Sequence, residues 1–123
     1  KKVQSRIEAI ADWAGLTAQL DVPLRAYSSG MIARLAFATA TEETPDLLLI
    51  DEVLSVGDED FRKKSSNRTQ EMINSGCAVL LVSHDLASVK TLSKRTIYLE
   101  NGKVKASGNP SKVIDKYLSD VRH

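Results

Sequence analysis

Cysteine, proline, glycine and aromatic side chains are all scarce in this chain, and each scarcity excludes something. A single cysteine, Cys77, in 123 residues rules out an intrachain disulfide, and a lone thiol inside an apolar run reads as a small buried hydrophobe rather than a nucleophile. His84 and His123 are the 2 histidines; with Cys77 they are too few and too scattered to make a zinc site of their own. With 3 prolines and 6 glycines there is no collagen-like or low-complexity segment, and no internal repeat is present. The longest uninterrupted apolar stretch runs only from Cys77 to Val82, far short of the roughly 20 residues that a membrane-spanning helix needs. A dominant charge is missing too. Lys and Arg number 17 against 16 Asp and Glu, a formal charge of +1, whereas a chain that lives on nucleic-acid phosphates is much more basic, so nucleic acid is not expected as a partner.

What is present is an ordinary globular composition, 42% hydrophobic and 27% charged, sufficient for one domain at roughly 100 to 200 residues per domain. The opening Lys1-Lys2-Val3-Gln4-Ser5 has no initiator Met and no apolar segment behind its charges. It is not a signal peptide, and the chain is expected to be a piece of a longer one.

Periodicity supplies the elements. From Lys2 to Leu16, Val3, Ile7, Ile10, Ala11 and Ala14 recur at helical spacing, and Gly15 stands where a helix can stop. Thr17 to Tyr27, with Pro23 and no clear period, reads as a connector. A second helix starts at Ser28-Ser29-Gly30, carries Ile32, Leu35, Ala36 and Thr39 on one face, and ends before Pro45. Leu47-Leu48-Leu49-Ile50 has no alternation, as suits a strand covered on both faces in a parallel sheet, and it ends in Asp51-Glu52. A helix from about Glu59 to Ile73 closes at Gly76, and Cys77 to Val82 forms a second buried-strand candidate ending in Ser83-His84-Asp85. A helical segment through Leu92 follows, and strand, helix, strand, helix is the order of a right-handed parallel unit. Thr96 to Glu100 and Lys103 to Ser107 flank Asn101-Gly102, a strong hairpin signal because both turn positions take positive φ. Pro110 opens a last helix with Val113, Ile114, Tyr117 and Leu118 on one face.

In an open parallel sheet, ligands bind beyond the carboxyl ends of the strands. The two strand candidates end in Asp51-Glu52 and His84, which are expected to be neighbours. Two carboxylates and an imidazole placed there can hold Mg2+ through water, activate a water nucleophile and contact a phosphate. The plainer alternative is a strand end followed by a solvated turn, with His84 a structural residue. Ser28-Ser29-Gly30 likewise reads either as an ordinary N-cap or as an anion site that uses the unpaired N-H groups of a helix start. A P-loop is missing: the one Gly-Lys pair, Gly102-Lys103, is followed by Val104, with Ile97 where the first glycine belongs. Glycines 15, 30, 57, 76, 102 and 108 include no two that are two apart, which excludes a dinucleotide fingerprint.

Four segments, in order, carry a family resemblance over nearly the whole chain: Tyr27-Ser28-Ser29-Gly30-Met31, Leu47 to Glu52, Ser55-Val56-Gly57-Asp58 and Ser83-His84-Asp85. The chain resembles the C-terminal half of the ATPase domain of an ABC transporter, and the four segments match the signature motif, the Walker B strand, the D-loop and the switch histidine. The resemblance implies an α/β fold, the P-loop NTPase (RecA-like) core with part of its helical subdomain. Residues 1-45 would close the helical subdomain and 46-123 belong to the catalytic core. It implies that Asp51 helps hold Mg2+, mostly through water, that Glu52 is the general base and that His84 touches the γ-phosphate. Ser28, Ser29, Gly30, Met31 and Asp58 form the implied cofactor-binding set: Ser28 and Gly30 would bind the γ-phosphate of ATP held by the opposite subunit of a homodimer, Asp58 would lie across the dimer interface, and Arg34 matches an arginine of the signature helix. ATP and Mg2+ are the implied cofactors, and a membrane permease subunit is the implied partner, on the cytoplasmic face of the bacterial plasma membrane. Tyr27, Ser29 and Met31 depart from Leu-Ser-Gly-Gly-Gln, and Val56-Gly57-Asp58 from Ala-Leu-Asp. Both variants resemble the ATPases that export O-antigen, capsule or teichoic acid, so a polysaccharide cargo is implied indirectly. The P-loop that grips the phosphates would lie upstream of Lys1, so the 123-residue piece alone is expected to be inactive. The alternatives are an ABC-type ATPase unconnected with transport, whose coiled-coil insertion is not seen, and a non-catalytic interaction module, which loss of Glu52 or His84 would have favoured.

Overall fold

The computed structural model describes residues 2–51 and 58–122; Glu52 and Ser55-Val56-Gly57 lie outside the described residues. The chain forms two compact units, Lys1–Leu80 and Leu81–His123.

In the first unit, α1 (Lys2–Ala14) leads through short 3-10 turns at Thr17–Gln19 and Leu24–Ala26 into α2 (Ser29–Ala40), β1 (Leu47–Asp51), α3 (Glu59–Asn74) and the start of β2 (Ala78–Val82). Gly15 ends α1 at φ +71, a left-handed position that glycine adopts without Cβ strain. The chain then folds back so that the Leu16 N-H donates to the Ala11 carbonyl at 2.8 Å, the Schellman closure that satisfies a helix-end carbonyl. The same turn drops the Leu16 side chain into the core, where it is 1% exposed. The end of α3 repeats the device: Gly76 has φ +97, and Cys77 N-H reaches the Met72 carbonyl at 3.0 Å, burying the thiol. Ile10, Trp13, Tyr27, Met31 and Leu35 pack against Ala14, Leu16 and Ala38, and the Tyr27 hydroxyl donates to the Gln19 carbonyl at 2.7 Å.

Four expectations change. One concerns β2, which was expected to be a buried strand and has no buried residue between Ala78 and Val82. On α1 the buried residues are Ala11 and Ala14, whereas Val3 and Ile7 are exposed: the last turns of α1 pack into the core, while its earlier part is tied to the unit by the exposed ion pair of Arg6 with Glu42 at 2.7 Å. On α2 the buried residues are Phe37 and Ala38 while Ile32 is exposed. The aromatic contacts described below turn Phe37 inward. The β1 strand is covered on one face only: Leu48 and Ile50 are buried, whereas Leu47 and Leu49 are 56% and 66% exposed. β1 and β2 are neighbours in one sheet. Ala78 N-H donates to the Asp46 carbonyl at 3.0 Å, which sets the two strand starts side by side, the parallel arrangement expected across a helical crossover.

In the second unit, α4 (Leu86–Leu92), β3 (Thr96–Glu100), β4 (Lys103–Gly108) and α5 (Pro110–Val121) follow. The hairpin is antiparallel, pairing Thr96 with Gly108 and Glu100 with Lys103, with a register shift at Tyr98/Leu99. Asn101 at φ 53 and Gly102 at φ 75 are the two positive-φ residues of a type I′ turn, whose twist suits a hairpin. Pro110 sits in the first turn of α5 and Asn109 caps it by accepting from Lys112 N-H. Val113 and Ile114 are buried, and Tyr117 meets the Tyr98 ring edge-on at 5.2 Å.

Candidate functional site

Each described candidate residue stands at the end of a regular element. Ser28 is the N-cap of α2, with extended φ −68 and ψ 164, and its Oγ accepts from the Met31 N-H at 3.1 Å. A helix start leaves up to four N-H groups without helical partners, and the Ser28 hydroxyl takes that of Met31. Ser29 begins the helix and is exposed, and Gly30 follows half-buried. A Cβ built at Gly30 would meet only Ser28 Oγ at 3.9 Å, so the glycine keeps the backbone open on its outer side rather than avoiding a clash inside this chain. The Met31 side chain packs on the Ala14, Leu16 and Ala38 cluster; among the described contacts its backbone N-H faces the cap and its side chain the core.

Asp51 is the last residue of β1, and its side chain is exposed. Among the described residues no group of three His, Cys, Asp or Glu side chains is placed to hold a metal. Asp51 therefore offers one hard oxygen ligand, a donor set that fits a cation bringing its own waters and phosphate ligands. Glu52, the adjoining candidate, lies outside the described residues.

Asp58 is the N-cap of α3 and its Oδ1 accepts from the Phe61 N-H at 2.8 Å. Glu59 and Asp60 add negative charge in the first turn, which the positive end of the helix favours. In the second unit, Ser83-His84-Asp85 follow β2. The Asp85 N-H donates to Ser83 Oγ at 2.9 Å and Ser88 Oγ donates to Asp85 Oδ2 at 2.6 Å, so the hydroxyls on either side of His84 build a tight turn that leaves the imidazole exposed. The structure thus places Ser28, Ser29 and Gly30 on one helix start, Asp58 on another and Asp51 on a strand end of the first unit, with His84 in the second.

Trp13, Arg68 and Thr41 were not singled out by sequence reasoning, yet they join the helices that carry Ser28 and Asp58. The helical repeat of α1, where Trp13 lies three residues after Ile10, marks Trp13 as a core position but says nothing of its partners on other helices. No helix among the described residues is long and apolar enough to cross a membrane.

No protein-family model matches the chain. A teichoic acids export ATP-binding protein, TagH, of Lactococcus lactis is 41% identical over 122 residues, which cover 99% of this chain and 26% of that protein. An O-antigen export system ATP-binding protein, RfbB, of Klebsiella pneumoniae is 38% identical over 117 residues, 95% of this chain and 48% of that protein. The ABC transporter protein AbcA of Aeromonas salmonicida is 38% identical over 117 residues, 95% of this chain and 38% of that protein. The chain therefore spans about half, or less, of the length of these relatives. Among solved structures, an ATP-binding subunit of an ABC transporter superimposes with a TM-score of 0.79 at 24% identity, covering 93% of this chain and 48% of that one. That likeness bears on the fold alone and agrees with the α/β class expected from the sequence.

Proposed function

The chain belongs to the ATP-binding subunits of ABC transporters, and from this premise we propose that it is the C-terminal part of the ATP-hydrolysing subunit of an exporter of bacterial surface polysaccharide, such as O-antigen, capsule or teichoic acid. The observation that carries the reading is that export ATP-binding proteins for two such polymers each match nearly the whole chain. Residues 1–45 close a helical subdomain that carries the signature helix α2, and 46–123 belong to the catalytic core. The complete subunit works as a homodimer beneath a membrane permease, peripheral to the cytoplasmic face, with ATP held between the two copies.

The residue roles are those that the family resemblance implies, taken residue by residue. Asp51, exposed at the strand end, would help hold Mg2+, mostly through water, and bound there the ion would supply neutralisation of phosphate charge. Glu52, next in the chain, is the general base that accepts a proton from the attacking water. His84 donates a hydrogen bond to the γ-phosphate. Ser28 and Gly30, at the positive end of α2, meet the γ-phosphate held by the partner subunit, through the serine hydroxyl and the open backbone. Ser29 and Met31 flank that contact, and Asp58 lies across the dimer interface.

The test is Glu52→Gln in the complete subunit. Removing only the base leaves ATP binding intact and nearly abolishes hydrolysis, while the ATP-bound dimer becomes longer-lived. Near wild-type turnover in this variant would show that Glu52 is not the base.

A further inference from the structure

Trp13 is the single tryptophan of the chain, and it stands where three helices meet. Its ring stacks on Phe37 of α2 at 5.7 Å and 26° and receives the edge of Phe61 of α3 at 5.7 Å and 73°. Phe37 and Phe61 also meet each other edge-on at 6.4 Å. Two cations lie over the indole: Arg68 Cζ is 4.2 Å and Lys64 Nζ 4.7 Å from the ring centroid. Both come from α3, and Lys64 also hydrogen-bonds the Trp13 carbonyl. Arg68 continues past the ring and donates to Oγ1 of Thr41 at 3.3 Å. Thr41 is buried and is the C-cap residue of α2, where its hydroxyl donates to the Phe37 carbonyl at 2.7 Å.

These contacts reach the two helix starts singled out above. Phe61 is the residue whose N-H the Asp58 carboxylate accepts at 2.8 Å, so a ring that holds Phe61 holds that carboxylate as well. Phe37 and Thr41 grip the far end of α2, and a 12-residue helix transmits that placement to Ser28 at its other end, since helices bend little without a kink. Cation-π attraction strengthens where the cation is desolvated, and Arg68 is half-buried, with burial drawing its pKa below the ordinary arginine value.

We propose that Trp13 and Arg68 form a positioning junction that holds the Ser28 start of α2 and the Asp58 start of α3 in one fixed relation, so that both face the partner subunit together. The purpose of the junction rests on the dimeric ATPase reading above. Its geometry does not.

The experiment uses the complete subunit with Cys77→Ala and nitroxide labels at Ala36→Cys on α2 and Lys63→Cys on α3, both exposed positions, and reads their distance distribution by double electron-electron resonance. In the native background a single narrow distance is expected. Trp13→Leu should broaden or shift it, and Trp13→Phe, which keeps a flat ring between Phe37 and Phe61, should restore it. Arg68→Met keeps an apolar stem on the indole but loses the cation and the bond to Thr41, and it is the second variant should Trp13→Leu not fold. It is expected to broaden the distribution as well. In the unlabelled subunit, Trp13→Leu should lower kcat about tenfold or more with the KM for ATP little changed, because positioning is lost while the subunit's own nucleotide grip is untouched. A merely structural cluster would lower the melting temperature and leave the distance and the kcat per folded molecule unaltered. A folded Trp13→Leu or Arg68→Met protein with the native narrow distance overturns the proposal. Absence of ATP turnover in the native subunit overturns the ATPase reading alone, since the label distances still decide the junction.

Discussion

Replacing Ser28 by aspartate separates two properties that one hydroxyl combines. Ser28 Oγ accepts from the Met31 N-H at 3.1 Å, so Ser28→Ala removes a helix cap and costs about 1 kcal/mol. In a domain of about 150 to 250 residues that lowers the melting temperature by about 2–4 °C. Aspartate caps as well as serine, and its charge at a helix start is favourable by about 0.3–1 kcal/mol. Ser28→Asp should therefore melt at or above the wild-type temperature. For a phosphate arriving at the same helix start the sign reverses. Two unit charges of like sign about 4 Å apart, at an effective dielectric constant near 20, repel by about 4 kcal/mol, roughly a thousandfold in association. The assay is equilibrium sedimentation of the complete subunit with ATP in a Glu52→Gln background, which stops turnover, alongside thermal melts. The expected result is an aspartate variant that is as stable as its parent and binds ATP as a monomer, but does not dimerise. The alanine variant should be less stable and partly dimeric. An aspartate variant that dimerises like its parent would leave Ser28 a helix cap and nothing more, and the anion-site reasoning would be refuted.

Leu16, 1% exposed beneath the Gly15 turn, should cost about 2–5 kcal/mol when cut to alanine, read in the complete subunit as a lower denaturant midpoint with an unchanged slope; a loss under 1 kcal/mol would show that the site collapses around the gap. The Tyr98 phenol is pushed from 10.0 up to about 12 by burial and by the hydrogen bond it donates to Glu100. The folded chain then keeps a proton that the unfolded chain releases, so this stabilisation is complete below about pH 10 and is lost as pH rises toward about 12. Tyr98→Phe should flatten that alkaline fall, and melts at pH 9 and pH 11 that decline equally in both proteins would contradict it. The 123-residue chain alone should hydrolyse no ATP, because a P-loop supplies the main grip on the phosphates; turnover that survives purification and vanishes in Glu52→Gln would sink this expectation. The same chain should bind a hydrophobic dye through Leu47, Leu49 and Leu80, all more than half exposed on their strands, and the complete subunit should bind far less. A dye signal equal in the two would mean that this face stays bare in the whole protein.

What the sequence determined by itself was whatever short-range chemistry dictates. Gly15 and Gly76 stop helices because only glycine takes their left-handed backbone without strain, Asn101-Gly102 makes a hairpin because its turn needs two positive φ values, and Ser28 and Asp58 stand where unpaired N-H groups need an oxygen. The order of the four motifs was likewise readable, since each is a run of adjacent residues. Two matters were decided only by the tertiary structure, because they depend on what lies across from a residue rather than beside it. One is which side of an element is covered: Val3, Ile7 and Ile32 fit a helical face but stay exposed, and the unbroken apolar run of β1 is buried only at Leu48 and Ile50. The other is the Trp13 junction. Its members Trp13, Phe37, Thr41, Phe61, Lys64 and Arg68 are spread over three helices, and a ring stacked at 5.7 Å or a cation at 4.2 Å leaves no mark in the spacing of any one of them, because such contacts exist only once separate helices have packed together.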